Sequence, residues 1–110
     1  MRYVPDRGDI ISVDLSPHSG KEQAGRRPAL VLSPAEYNEK VGLCICCPIA
    51  SHAKGYPFEV DVGKSPGVPG VILADHVSSI DWQTRKASRL SRAANLVVEK
   101  VAARINTLIS

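Results

Sequence analysis

Leu43-Cys44-Ile45-Cys46-Cys47-Pro48-Ile49 is the stretch on which the fold turns. It has the length of a strand, is uncharged, and is too short and too rich in Cys and Ile to favour a helix, so it reads as the central strand of a sheet with both faces buried. Pro48 marks its exit. Cys44 and Cys46 share one face of such a strand and Cys47 takes the other. The chain's 3 cysteines are all here, and with no second Cys pair elsewhere they do not make a zinc framework. They read as small buried hydrophobes, and reduced thiols fit a cytoplasmic location.

On the N-terminal side, residues 34–40 carry a helix-start pattern, with Ser33 as N-cap, Pro34 at the first helical position and Glu36 at the third. Gly42 ends that helix. Residues 29–33 form a strand, and residues 9–15 alternate as another, with Ile11, Val13 and Leu15 on one face. Between them lies a long loop that holds Glu22-Gln23-Ala24-Gly25-Arg26-Arg27-Pro28, a carboxylate and two guanidinium groups in the setting of an active-site loop. Pro28 fixes φ where the next strand begins, which holds Arg27 beside a rigid element. On type and spacing alone, a solvated loop whose Glu and Arg pair with each other is the commoner outcome.

On the C-terminal side, residues 50–57 are a polar loop, residues 58–62 alternate as a half-exposed strand, and residues 63–70 form a Pro- and Gly-rich turn. An apolar strand begins at 71–74 and is extended toward residue 80. Residues 87–90 give a last strand inside a basic stretch, Arg85, Lys86, Arg89 and Arg92, with no acid between Asp81 and Glu99. That stretch is a basic face or a solvated strand edge protected by its charge. From residue 95 to 109, Val97, Val101, Ile105, Leu108 and Ile109 recur at helical spacing, which predicts a terminal amphipathic helix. Short strands punctuated by Gly and Pro, with this helix packed on them, predict a mainly β fold with helices, a small β-barrel.

The 110 residues suffice for one domain, 1–110, and not for two. Aromatic residues make up 5%, so the core must be filled by Val, Ile, Leu and Ala, which leaves room for burial between subunits. The nearly apolar run over 41–50 falls far short of the ~20 residues that span a bilayer, and the polar N-terminus has no signal-peptide core. A soluble, cytoplasmic protein is expected.

Several segments carry a family resemblance: Tyr3-Val4-Pro5-Asp6, Gly8-Asp9, the Glu22 to Ala29 stretch, Val31-Leu32-Ser33-Pro34, Lys54-Gly55-Tyr56-Pro57-Phe58-Glu59-Val60, Leu73-Ala74-Asp75 and the Arg104 to Ile109 tail. In this order, over nearly the full length, the chain resembles the MazF/PemK family of bacterial toxins. The resemblance implies an SH3-like barrel of the PemK/CcdB kind with a C-terminal helix, and a homodimer. It implies sequence-specific cleavage of single-stranded RNA without metal or cofactor, and neutralisation by an acidic, MazE-like antitoxin. Cleavage without metal turns the RNA's own 2′-OH on the adjacent phosphate, so the site needs a base, a proton for the leaving 5′-oxygen and positive charge for the phosphorane. Arg27 matches the family's catalytic arginine, and Glu22 a carboxylate that serves as base or orients the arginine. Gln23, Arg26, Ser51, Lys54, Arg85 and Lys86 are then expected to line the RNA groove.

One position departs from the family. Where the family has Pro, then Ile or Cys, then Thr, this chain has Pro48-Ile49-Ala50, so the threonine paired with the catalytic arginine lacks its hydroxyl. This implies a weakened nuclease or an inactivated copy. Ser51 is next door, but neighbours on an extended chain point to opposite faces. His52 and His76 are spare acid–base candidates, although a lone His near a loop is more often a hydrogen-bonding residue. Two other readings compete. One is a non-catalytic RNA- or antitoxin-binding module, and the other is a gyrase poison like the related CcdB toxins, whose signature is a tryptophan near the C-terminus. Here the only tryptophan is Trp82.

Overall fold

The computed structural model describes residues 2–14, 26–64 and 67–110. Its elements, in chain order, are strand β1 (Asp9–Asp14), β2 (Arg26–Val31), helix α1 (Ala35–Val41), β3 (Cys44–Ala50), β4 (Glu59–Asp61), β5 (Val71–Leu73), a 3-10 turn (Ala74–His76), β6 (Ser78–Ile80), β7 (Ser88–Arg92) and helix α2 (Asn95–Ile109). The 7 strands form one antiparallel sheet in the order β4-β5-β3-β2-β1-β7, with β6 also on β3. No pairing joins β4 to β7 among the described residues, so the sheet is open where a barrel would be closed.

β3 is central because it is buried on both faces. Register and alternation sort its side chains: Ile10, Leu30 and Cys47, in register across three strands, enter one core with Ile72 and with Val98 and Val101 of α2. Val31 and Cys46, paired one position on, enter a second core with Ile11, Val13, Cys44 and Trp82. All three cysteines are buried and free. α2 buries Val98 and Val101, while Leu108 and Ile109 stay exposed, Ile109 at 77%. Among the described residues no helix is long and apolar enough to cross a membrane.

Four local features differ from the sequence reading. β2 begins at Arg26, because its backbone pairs with β1 as far as Asp14↔Arg26 and Val13↔Arg27. The two arginines therefore ride on a strand rather than a loop. Ser33 does not cap α1: its hydroxyl donates to Asn38 Oδ1 at 2.6 Å and accepts the Ile45 N–H at 2.8 Å, and the Ala35 N–H goes to Asp6 Oδ1 at 2.9 Å. The stretch from 71 to 80 is two strands, since the turn at Ala74–His76 lets β5 pair with Ile49 and Ala50 and β6 with the other end of β3. The last strand runs on to Arg92, with a bulge against β1 where Ile10↔Ser91 gives way to Ile11↔Arg89 and Leu90 is left over.

Candidate active site

Arg27 is exposed and makes no side-chain hydrogen bond or ion pair with the described residues. It lines an open cavity of about 250 Å³ at the start of β2, with Arg26, Ser12, Ser51 and Leu90 around it. Arg26 is differently employed. Its guanidinium donates to Ser12 Oγ (3.2 Å), the Ser12 carbonyl (3.0 Å), Ser88 Oγ (3.3 Å) and the Arg85 carbonyl (3.4 Å), so it clasps β1 to β7 and forms one wall. Its charge still faces the cavity. Neighbours on a strand point to opposite faces, so the Arg27 side chain leaves β2 on the face away from the Arg26 guanidinium, and the ladder to β1 fixes the backbone of both.

The floor of the site depends on how β3 ends. Ala50 pairs with Val71, and a Cβ on Gly70 would lie 2.1 Å from the Ala50 carbonyl oxygen, so only glycine allows this approach, at φ 128°. Beyond Ala50 the chain bends, and Ser51 lines the cavity beside Arg26. Ala50 and His52 instead line a second, larger cavity of about 520 Å³ with Lys54, Tyr56, Glu59 and His76. Residues 50–52 are thus the ridge between the two cavities. Ser51 Oγ and His52 Nδ1 are 3.0 Å apart.

The larger cavity is shaped by one carboxylate. Glu59 accepts N–H bonds from Lys54, Gly55 and Tyr56 at 3.0–3.2 Å, which curls residues 54–56 around it and keeps Lys54 on the cavity wall. The Lys54 N–H first, and then those of Tyr56 and Gly55, hold the Glu59 carboxyl below its ordinary value of 4.5. A group with a depressed folded pKa holds its contacts above the ordinary value and loses them as pH falls through the folded one. The protection of the Lys54, Gly55 and Tyr56 amides against hydrogen exchange should therefore fall as pH drops below about 4.5. Glu59→Gln should lower it by about tenfold at neutral pH, since an amide oxygen is a weaker acceptor than a carboxylate. Unchanged protection factors in the variant would mean the loop is held by something else. On the far side, the Tyr56 hydroxyl donates to Asp75, which pushes the phenol up.

The remaining basic residues disperse. Arg85 donates to the Asp14 carbonyl at 2.8 Å and supports the Arg26 wall from behind. Lys86, at φ 55°, lines a separate pocket with Arg2, Tyr3 and Trp82. Arg92 binds the buried Asp9 at 2.8 Å, with Arg89 3.7 Å from the same carboxylate. Asp9 also accepts the Tyr3 hydroxyl and the Asp6 N–H, so this end of the basic stretch is structural. Trp82 is buried and donates Nε1–H to the Asn38 carbonyl at 3.0 Å. Glu22 and Gln23 lie outside the described residues. Ser12 joins the cavity without having been singled out by sequence; its one signal is being the polar position between Ile11 and Val13.

An antiparallel sheet flanked by two helices has close counterparts among solved structures. The model of PemK-like, MazF-like toxins of type II toxin–antitoxin systems matches residues 6–109, and the chain belongs to that family. It is 51% identical over 108 residues to the endoribonuclease toxin MazF of Escherichia coli strain K12, covering 98% of this chain and 96% of that protein. It is 38% identical to the endoribonuclease toxin ChpB of the same strain, over 94% and 93% of the two chains. Among solved structures, MazF from Deinococcus radiodurans superposes with a TM-score of 0.89 at 49% identity, covering 98% of each chain. The MazE–MazF complex from that organism gives a TM-score of 0.88 at 45% identity, over 99% of this chain and 98% of that one.

Proposed function

We propose that residues 1–110 act as a single toxin domain, an endoribonuclease that cuts single-stranded RNA by attack of a 2′-OH on the adjacent phosphate and is silenced by a MazE-like antitoxin. Arg27 carries this reading: it is a guanidinium with no partner among the described residues, exposed in a cationic cavity, in a chain half identical to an endoribonuclease. It binds the non-bridging oxygens and neutralises the charge that grows on the phosphorane. Glu22 takes the 2′-OH proton. Gln23, Arg26, Ser51 and Lys54 guide the strand, Lys54 from the larger cavity, with Arg85 behind Arg26 and Lys86 farther along. Cationic donors repel a metal ion, so the phosphate meets guanidinium groups instead. The sheet is read as an SH3-like barrel with its seam between β4 and β7, working in the cytoplasm. A poison acting through its tryptophan has no support from the buried Trp82.

Incubating a defined single-stranded RNA with the chain in EDTA should give products ending in a 2′,3′-cyclic phosphate and a 5′-hydroxyl. Products with a 5′-phosphate, or cleavage only when a divalent metal is added, would sink the mechanism.

The same reading makes the chain a homodimer. Leu32, Ile45, Val77, Ala102, Ile105 and Ile109 line an apolar depression between α2 and the sheet, and a second copy is the occupant that would remove it from water. Light scattering at micromolar concentration should give twice the 11.8 kDa chain mass. A particle of single mass at that concentration would refute it.

A further inference from the structure

We propose that His52 is the general acid of the cleavage, giving the leaving 5′-oxygen its proton from Nε2. This rests on the endoribonuclease reading and fills a place that reading leaves open: Arg27 answers the charge and the base answers the 2′-OH, but neither answers the leaving group.

Strand register brings the imidazole to the side of Arg27. β2 and β3 pair Ala29↔Pro48 and Leu30↔Cys47, and the same register continued to the strand ends sets Arg27 opposite Ala50 on one face. Side chains placed this way have Cβ atoms about 4.5–5.5 Å apart. Ala50 in turn lines the cavity of about 520 Å³ that His52 also lines, together with Lys54, Tyr56, Glu59 and His76. The methyl group of Ala50 thus adjoins both Arg27 and the cavity of the imidazole, and it neither donates a proton nor fills the space of a threonine.

Among the groups around this cavity, His52 alone is both able to release a proton near neutral pH and free to do so. Glu59 is held as a carboxylate by the N–H groups it accepts. The Tyr56 proton goes to Asp75, and the phenol is pushed up. Ammonium and guanidinium groups keep their protons too tightly at that pH. His76 sits in the 3-10 turn with Nε2 3.9 Å from Asp75 Oδ1, a buried oxygen with no hydrogen-bond partner among the described residues, so Asp75 holds the proton of that ring. The Nδ1 of His52 is 3.0 Å from Ser51 Oγ, which holds the ring whichever of the two donates and leaves Nε2 without a hydrogen bond to the described residues.

In the reaction the O2′–P bond forms and the P–O5′ bond breaks. The O2′ proton passes to the base, the Nε2 proton of the His52 imidazolium passes to O5′ as it leaves, and the neutral imidazole regains a proton from water.

The test is single-turnover cleavage and equilibrium binding of a defined single-stranded RNA by the full chain in EDTA, with two substrates: the ordinary RNA, and the same RNA with sulfur in place of the 5′-oxygen at the linkage that is cut. His52→Ala should lower cleavage of the ordinary RNA by ~10²- to 10³-fold at neutral pH, with affinity changed by less than about threefold. It should cut the sulfur-substituted RNA within about threefold of the unaltered chain, because a thiolate leaves without a proton. With the ordinary RNA, the rate of the unaltered chain should fall tenfold per pH unit as the imidazole loses its proton, and that limb should be missing in His52→Ala.

Cleavage of the ordinary RNA by His52→Ala at the unaltered rate overturns the assignment and leaves the endoribonuclease reading intact. Equal losses on the two substrates also overturn it, since His52 would then act on something other than the leaving group. So does a loss on the ordinary RNA alone in His76→Ala and not in His52→Ala, which would make His76 the acid. A chain that neither binds nor cuts single-stranded RNA overturns the endoribonuclease reading and this assignment with it.

Discussion

Arg27→Ala is expected to lower single-turnover RNA cleavage by ~10³-fold or more while weakening RNA binding by less than about tenfold. The asymmetry comes from timing. In the ground state the phosphodiester has one negative charge, shared with Arg26 and Lys54 and screened by water. In the phosphorane, charge accumulates on oxygens that a forked guanidinium meets with two parallel N–H bonds. Arg27 can meet this demand because it makes no side-chain bond to the described residues, whereas Arg26 already gives its donors to Ser12, Ser88 and Arg85. Arg26→Ala should therefore act partly by loosening the β1–β7 clasp. Arg27→Lys should recover only a small part of the rate, since an ammonium supplies charge without the fork. Equal losses in rate and affinity for Arg27→Ala would make Arg27 a strand anchor and move the catalytic cation elsewhere.

The largest effect on stability is expected from Asn38→Ala. Asn38 is fully buried in α1, and its Nδ2 donates to the Pro5 carbonyl at 2.8 Å and the Ser33 carbonyl at 3.0 Å. Its Oδ1 accepts the Ser33 hydroxyl, and its backbone carbonyl accepts the Trp82 indole. One side chain thus ties the N-terminal arm to α1 and to the exit of β2, with Trp82 bonded to the same residue. Alanine strands two buried carbonyls and frees the Ser33 hydroxyl, which should cost about 3 kcal/mol. Against a total stability of about 5–15 kcal/mol, and for a domain of this size, the melting temperature should drop by about 15 °C. Asn38→Asp should cost more, because a carboxylate facing two carbonyls repels them. Calorimetry or denaturant titration reads both values, and a loss under about 1 kcal/mol for Asn38→Ala would show that water replaces the amide.

The local order of the fold was written in the sequence. Residues 43–49 announced a doubly buried strand by being apolar throughout, and alternation sent Cys44 and Cys46 to one core and Cys47 to the other. The terminal helix over Asn95–Ile109 was readable from its spacing because an amphipathic helix needs no knowledge of what it packs against. Gly42 ended α1 in the left-handed conformation that suits a residue without Cβ.

Three things needed the tertiary structure. The start of β2 at Arg26 is set by backbone pairing to β1, which side-chain polarity does not report, so the sequence placed both arginines on a loop. Ser33 has the right type and spacing for an N-cap, yet a buried asparagine five residues on competes for its hydroxyl, and only the packing of Pro5 over α1 decides that contest. Arg85, Lys86, Arg89 and Arg92 are one basic stretch in sequence, but the buried Asp9 takes Arg89 and Arg92 while Arg85 goes to the Asp14 carbonyl and Lys86 to a separate pocket. The same holds at the site. Arg27 was singled out by the family resemblance of residues 22–29, since type and spacing alone favoured a solvated loop whose Glu and Arg pair with each other. Ala50 and Ser51 line different cavities, and the end of β3 is placed where Gly70 lets the β5 end approach the Ala50 carbonyl, a contact between residues twenty positions apart.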